Sequence, residues 1–141
     1  MRDPACPACG YDPSHCIKTT STLILKRGAQ SLNELSTNTR HNNRYRNARR
    51  AWERLLTPYS CLEAPTNHCR VYFTRYWKRG KYGYDYGNLV GGFKPLLDAL
   101  VRAGLLVDDS PKHITEYYDQ RRSPDGTDYV QVVIEELHDE T

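Results

Sequence analysis

The sequence predicts an α/β domain: a small mixed sheet with two main helices, preceded by a Cys-rich N-terminal arm. Three observations carry the prediction. Residues 69–77 (CRVYFTRYW) alternate apolar and polar positions and are rich in aromatic and β-branched types. Residues 45–56 repeat apolar side chains at helical spacing. A second helical pattern over 94–103 is followed by two further strand-like stretches at 113–118 and 129–136. Helices that alternate with strands bury their apolar stripes on a sheet.

Taken in order, residues 1–20 are dominated by Cys, Pro and polar groups and form the arm, and residues 21–141 form the domain. Residues 22–26 (TLILK) read as a short strand. From Gly28 to Asn43 the density of Asn, Ser and Thr predicts a long loop. Asn43 then caps a helix in which Tyr45, Ala48, Trp52, Leu55 and Leu56 share one face, while Arg46, Arg50 and Arg54 form an i+4 row on another. Thr57-Pro58 ends it, and 57–67 is a second loop. In the 69–77 strand Val71, Phe73 and Arg75 share one face, and Tyr72, Thr74 and Tyr76 the other. Residues 78–84 (KRGKYGY) are too charged and glycine-rich to prolong it and predict a mobile loop. Pro95 suits the first turn of the 94–103 helix, and Gly104 suits the left-handed position after its end. The last two strands are predicted to form a hairpin around Pro124-Asp125-Gly126.

Composition narrows the function classes. The chain has 141 residues, enough for one domain with a small appendage and too few for a multidomain enzyme. Hydrophobic residues are 38% with the 11 Tyr included, against the roughly 45–50% apolar share of a typical domain, so the core is modest. No apolar run approaches the ~20 residues of a membrane span. The start, Met1-Arg2-Asp3-Pro4, has no signal-peptide core, which predicts a cytoplasmic address with reduced thiols. Net charge is only +3, but it is unevenly placed. Six Arg (40, 44, 46, 49, 50, 54) stand against Glu53 alone between 40 and 56. Arg70, Arg75, Lys78, Arg79 and Lys81 occur without an acid. Each run by itself is what a solvated face carries. Together, with aromatics interleaved, they point to a polyanion such as nucleic acid.

Acidic residues and one lysine are the candidates for chemistry. Asp85 lies in a Gly-rich loop, Asp108 and Asp109 end a short apolar run, and Lys94 and Asp98 sit one turn apart on the intervening helix. Carboxylates at loop ends suit a hard cation such as Mg²⁺, which activates water and polarises a phosphodiester. A lysine nearby offsets charge on the phosphate in the transition state. The plain alternatives are a surface Lys94–Asp98 pair and an ordinary Asp-Asp-Ser turn.

The run Asp85-Tyr-Gly-Asn88-Leu-Val-Gly-Gly-Phe-Lys94-Pro-Leu-Leu-Asp98-Ala-Leu100, followed by Ala103-Gly-Leu-Leu-Val-Asp108-Asp109-Ser110, resembles the RusA family of Holliday-junction resolvases. These are small α/β endonucleases of phages and prophages. The resemblance extends over roughly residues 20–137 and includes Ser31-Leu32-Asn33 and the Arg-rich helix ending near Trp52. It implies a homodimer that nicks branched DNA symmetrically with Mg²⁺ or Mn²⁺, in the cytoplasm of a bacterial host. Asp85, Asn88, Lys94 and Asp109 match the family's catalytic positions, with Asp85, Asp108 and Asp109 toward the metal. Asn88 would orient the loop, and Lys94 would position the scissile phosphate or stabilise the transition state. Arg44, Arg46, Arg50, Arg75, Lys78, Arg79 and Lys81 would neutralise backbone phosphates. Two departures matter: the family pattern is Asp-x-Asp-Asn, and its second Asp is Gly87 here, while Val90-Gly-Gly-Phe93 sets Lys94 three residues further from Asn88 than in the shortest family members, a Gly-Gly-x-Lys variant. Three readings follow. The site is active with another acid filling in, or it is impaired, or the fold is kept to bind DNA or a host protein without cutting.

Two further signals stand apart. Cys6, Cys9 and Cys16 with His15 offer soft ligands within eleven residues, the chemistry of a structural Zn²⁺ knuckle, with Cys61, His68 or Cys69 as a possible fourth ligand. An arm with incidental thiols is the alternative. Tyr72, Tyr76, Trp77, Tyr82, Tyr84 and Tyr86 are interleaved with Arg75, Lys78, Arg79 and Lys81, and the last three Tyr lie in the loop next to Asp85, where an unpaired base can stack. Gly-Gly-Phe-Lys94 lacks the Ser/Thr and leading strand of a phosphate-binding P-loop.

Overall fold

A computed structural model describes residues 17–36, 43–78 and 82–138. Four strands, β1 (Ile17–Leu25), β2 (Cys69–Trp77), β3 (Ile114–Arg122) and β4 (Tyr129–Leu137), form one sheet in the order β1-β4-β2-β3. β4 is antiparallel to both its neighbours, and β2 and β3 are parallel. Four helices accompany it: α1 (Leu32–Ser36), α2 (Asn43–Leu56), α3 (Tyr86–Gly92) and α4 (Lys94–Arg102). The architecture is the mixed α/β one that the sequence predicts. The parallel β2–β3 pair is joined through α3 and α4, since parallel strands need a crossover rather than a tight turn.

Alternation fixes which face of the sheet is buried. Cys69, Val71, Phe73 and Arg75 of β2 point inward, as do Val130, Val132, Ile134 and Glu136 of β4 and Leu23 and Leu25 of β1. Trp52 and Leu56 of α2, Phe93, and Leu96, Leu97 and Leu100 of α4 close over them as a single core. Phe73 lies at its centre, 5.2 Å from Phe93 and 5.1 Å from Tyr118 between ring centroids. The other face carries Tyr72, Thr74, Tyr76, Gln131 and Val133, all half-buried, and no described helix covers it.

Several elements differ from the sequence expectation. β1 starts at Ile17, five residues before the expected Thr22, because residues 19–21 are held by the ladder to β4 rather than by burial. The predicted loop after Gly28 contains α1. Its start is a capping box: Ser31 Oγ accepts from the Glu34 N–H at 3.1 Å, and Glu34 Oε1 accepts from the Ser31 N–H at 3.3 Å. α3 was also not expected. The predicted β3–β4 hairpin is absent, because β2 lies between those strands. Residues 123–128 instead pass over the end of β2, where Ser123 N–H donates to Trp77 O at 2.8 Å and Lys78 N–H donates to Asp128 Oδ1 at 2.8 Å.

α3 docks on the 30–32 segment at contact range, and glycine makes this possible. A Cβ on Gly92 would stand 1.8 Å from the Gln30 carbonyl oxygen, and one on Gly91 would stand 2.9 Å from the Leu32 side chain. Gly104 has φ +79° and ends the α4 turn, as its place in the sequence predicts. No helix among the described residues is long and apolar enough to cross a membrane.

Candidate functional site

The segment that leaves β2 is bolted down before it reaches Asp85. The Tyr84 ring lies under the Arg75 guanidinium, 3.5 Å from its centroid. Its hydroxyl stands 3.0 Å from both Ala29 O and Glu34 Oε1. Gln120 of β3 accepts from the Tyr84 N–H at 2.9 Å and donates to its carbonyl. Burial pushes the Tyr84 phenol up to about 12, so it stays a donor. Tyr84 therefore fixes the next residue against α1, β2 and β3 at once.

Asp85 is the N-cap of α3. Its Oδ1 accepts from the Asn88 N–H at 2.9 Å, and its Oδ2 accepts from Asn88 Nδ2 at 2.8 Å. Asn88 Oδ1 in turn accepts from the Asn33 N–H of α1 at 3.1 Å. The backbone N–H of Asn88, then its side-chain amide, hold the Asp85 carboxyl below its ordinary range. Asn88 thus orients Asp85, and the anchoring comes from α1. Gly87 is open on the same turn: a Cβ there would meet only Asp85 Oδ1, at 3.6 Å.

The remaining acids stand at the far end of α4. Asp108 Oδ1 accepts from the Asp109 N–H at 2.8 Å, which lowers its carboxyl, and Asp109 is exposed. Lys94 is the exposed first residue of α4. Asp98 accepts a hydrogen bond from the Tyr45 hydroxyl of α2. The Tyr45 phenol is pushed up by burial first, then by that bond, and the charge of Asp109 adds to the shift. Asp98 is therefore a link between α4 and α2, beyond the surface partner of Lys94 that the spacing suggests.

Mg²⁺ takes oxygen ligands and is commonly held by one or two carboxylates together with waters and substrate phosphate. Among the described residues no three His, Cys, Asp or Glu side chains form a group that could hold a metal ion. Both Asp85 oxygens are engaged by Asn88, and Gly87 supplies no ligand. Asp85, Asp108 and Asp109 have the right chemistry for such a cation, but the three do not form one of these groups. The possible zinc ligands Cys6, Cys9, His15 and Cys16 lie outside the described residues. Of the suggested fourth ligands, Cys61 is exposed and Cys69 is 2% exposed in the core. His68 is committed elsewhere: Nδ1 is 3.0 Å from Lys112 O and Nε2 is 2.7 Å from Thr115 Oγ1.

The basic residues separate into two kinds. α2 turns Ala48, Trp52 and Leu56 into the core and leaves Arg44, Arg46, Arg50 and Arg54 exposed. Arg44 also donates to Glu34 O at 3.1 Å, tying α2 to α1. Arg49 faces Glu53 at 3.5 Å, and Glu53 also holds Arg102 at 2.9 Å. Lys78 is exposed at the end of β2, and Arg79 and Lys81 lie outside the described residues.

Arg75 departs from the expected phosphate-binding set. It is 3% exposed, and Nη1 donates to Tyr82 O at 3.2 Å and to Gln120 Oε1 at 3.1 Å. The alternation of β2 turns it inward, where it forms the floor of a cleft of about 480 Å³ beside Tyr84. Its work is to hold Tyr84.

The contacts that the sequence does not predict are those of Asn33 with Asn88, Glu34 with Tyr84 and Tyr45 with Asp98. Ser31-x-x-Glu34 is a readable capping signal, whereas the Asn33 and Tyr45 contacts depend on tertiary placement. No protein-family model matches this chain, and no curated protein matches it significantly.

Proposed function

We propose that the chain binds branched DNA, with the exposed arginine face of α2 gripping the phosphates. The observation that supports this is the division of α2 into a buried apolar stripe and an exposed row of Arg46, Arg50 and Arg54, with Arg44 exposed at the start of the helix. A rigid helix backed by the core presents these charges at fixed spacing, and Lys78 adds another at the end of β2. Each phosphate neutralised steepens the fall of log affinity with log salt by roughly 0.9. A homodimer belongs to this reading, because a two-fold assembly matches the symmetry of a four-way junction.

Cleavage is the second reading: a crossover-junction endodeoxyribonuclease using Mg²⁺ or Mn²⁺. It is favoured by the exposure of Asp85 at the start of α3, Lys94 at the start of α4 and Asp109 beyond its end. In this reading Asp85, Asp108 and Asp109 would supply carboxylates for a cation that also takes waters and the DNA phosphate, and Lys94 would offset charge on that phosphate. The missing second loop acid weighs against it, and the space beside Asp85 would accept one.

Nicking of a labelled four-way junction in Mg²⁺ or Mn²⁺ separates the two. Symmetric nicks that vanish in Asp109→Asn establish the nuclease. An inert parent that binds the junction, and gains nicking in Gly87→Asp, identifies a binding protein that lacks one ligand. A parent that neither binds nor nicks removes DNA as the partner and points to a host protein.

A further inference from the structure

We infer that the cleft between the 62–66 segment and the inner face of the sheet binds a short aliphatic diamine. The inference goes beyond the DNA reading and shares no residue with the α2 face.

The cleft encloses about 330 Å³. Alternation along β4 turns Val130, Val132, Ile134 and Glu136 inward, so the buried face ends on a carboxylate rather than a fourth apolar side chain. Register sets Thr19 of β1 beside Glu136 and Ser21 beside Ile134. These four line the cleft on the sheet side, and Leu62, Glu63 and Pro65 line it on the other.

Glu136 is 6% exposed, and no cation answers it. Its Oε1 accepts from the Thr19 hydroxyl at 3.3 Å, and its Oε2 accepts from the Asn67 N–H at 3.1 Å. The ion pairs between described residues are Arg49–Glu53, Arg102–Glu53 and Arg121–Asp119, and Glu136 belongs to none of them. Lys18 lines the same cleft but stays exposed. A buried carboxylate without a cation is costly, and two hydrogen bonds leave it room to accept more.

Three features select the ligand. A primary ammonium brings one positive charge and three N–H donors, and the Glu136 carboxylate stands among the Thr19 and Ser21 hydroxyls, which can accept them. Leu62, Pro65 and Ile134 supply apolar surface for a methylene chain. Glu63 adds a second carboxylate, exposed, for a second ammonium. Size and charge exclude the alternatives. Ligand sites run to ~300–1,000 Å³, so this one takes a short chain and not a nucleotide. Two acids against one lysine also repel an anion.

Carbon-13 NMR of the Glu136 carboxyl in the full chain, titrated with 1,4-diaminobutane at neutral pH and constant ionic strength, tests it. A saturable shift is expected, with n-butylamine binding several-fold more weakly. Glu136→Gln should weaken binding at least tenfold by calorimetry, because a charge-assisted bond is lost. Glu63→Gln should bring the diamine down to the affinity of butylamine and leave the melting temperature alone, since Glu63 is exposed. That variant decides the matter if Glu136→Gln fails to fold. A Glu136 that only anchors Thr19 and Asn67 would lower the melting temperature of Glu136→Gln while the parent shows no saturable shift, and this overturns the inference. The same response to potassium or tetramethylammonium chloride would reveal a bare charge effect and overturn it too. A lysine-bearing peptide that binds more tightly than the diamine would assign the cleft to a protein partner and overturn the diamine as its occupant. None of these outcomes bears on junction binding by α2.

Discussion

Replacing Gly92 with Ala places a methyl where the Gln30 carbonyl oxygen already stands. The new Cβ would lie 1.8 Å from that oxygen, 1.2 Å inside the 3.0 Å that real Cβ contacts do not cross. The obstacle is backbone and cannot swing aside, so α3 has to retreat from the 30–32 segment. Overpacking costs about 1–3 kcal/mol, and a rigid obstacle belongs at the top of that range. Alanine returns at most about 1 kcal/mol of helix propensity, leaving a net loss of about 2 kcal/mol. For a domain of this size that lowers the melting temperature by roughly 6–8 °C. Two internal controls sharpen the argument. The Cβ of Gly91→Ala meets the exposed Leu32 side chain, which can yield, so its loss should be smaller. Gly87→Ala meets only Asp85 Oδ1 at 3.6 Å and should be neutral or slightly stabilising. Thermal unfolding by circular dichroism gives the order directly. Retreat of α3 should also break the Asn33–Asn88 bond, seen as an upward shift of the Asp85 carboxyl in a ¹³C titration of Gly92→Ala. If Gly92→Ala melts within a degree of the parent, or Gly87→Ala costs more than it does, the close approach of α3 to Gln30 is wrong.

Four other outcomes are expected. The Asp125 carboxyl is held at about 2 by the Ser123 hydroxyl, then by the Thr127 hydroxyl and N–H. Because the folded value lies below the ordinary 3.8, its stabilisation is present above that value and is lost as pH falls through 2. Asp125→Asn should therefore flatten the stability profile between pH 4 and 2, read by urea melts at each pH. Burial, then the charge of Glu136, pushes the Cys69 thiol up to about 11. Iodoacetamide at pH 8 should accordingly label Cys61 long before Cys69, as peptide mapping will report. Arg75→Met should lower the melting temperature and leave the salt slope of DNA binding unchanged, since its charge is buried under Tyr84. Phe73→Ala should cost about 3–5 kcal/mol in a urea melt, because the ring is central to the core.

Much of the fold is legible in the sequence for identifiable reasons. β2, α2 and α4 carry unbroken periodicity over nine or more residues, and each lies where the pattern places it. α1 and α3 are only five and seven residues long, too short for periodicity, and they exist because they pack on one another through Gly91 and Gly92. Pro124-Asp125-Gly126 does make a turn, but the turn does not decide which strands pair. β2, with Val71 and Phe73 fully buried, inserts between β3 and β4. At the candidate site, Asn88 sits against Asp85 because three residues is the reach of an N-cap. The burial of Arg75 follows from the alternation of β2, which outweighs its charge once Tyr84 and Gln120 receive the guanidinium.

The central claim is that the α2 face holds branched DNA through its phosphates. Its most direct test is the affinity of a labelled four-way junction, against a linear duplex of the same sequence, from 50 to 200 mM salt. The account predicts tighter binding to the junction, with a log–log slope that becomes shallower by roughly 0.9 for each of Arg46→Ala and Arg50→Ala. Equal affinity for junction and duplex, or a slope untouched by both substitutions, would contradict it.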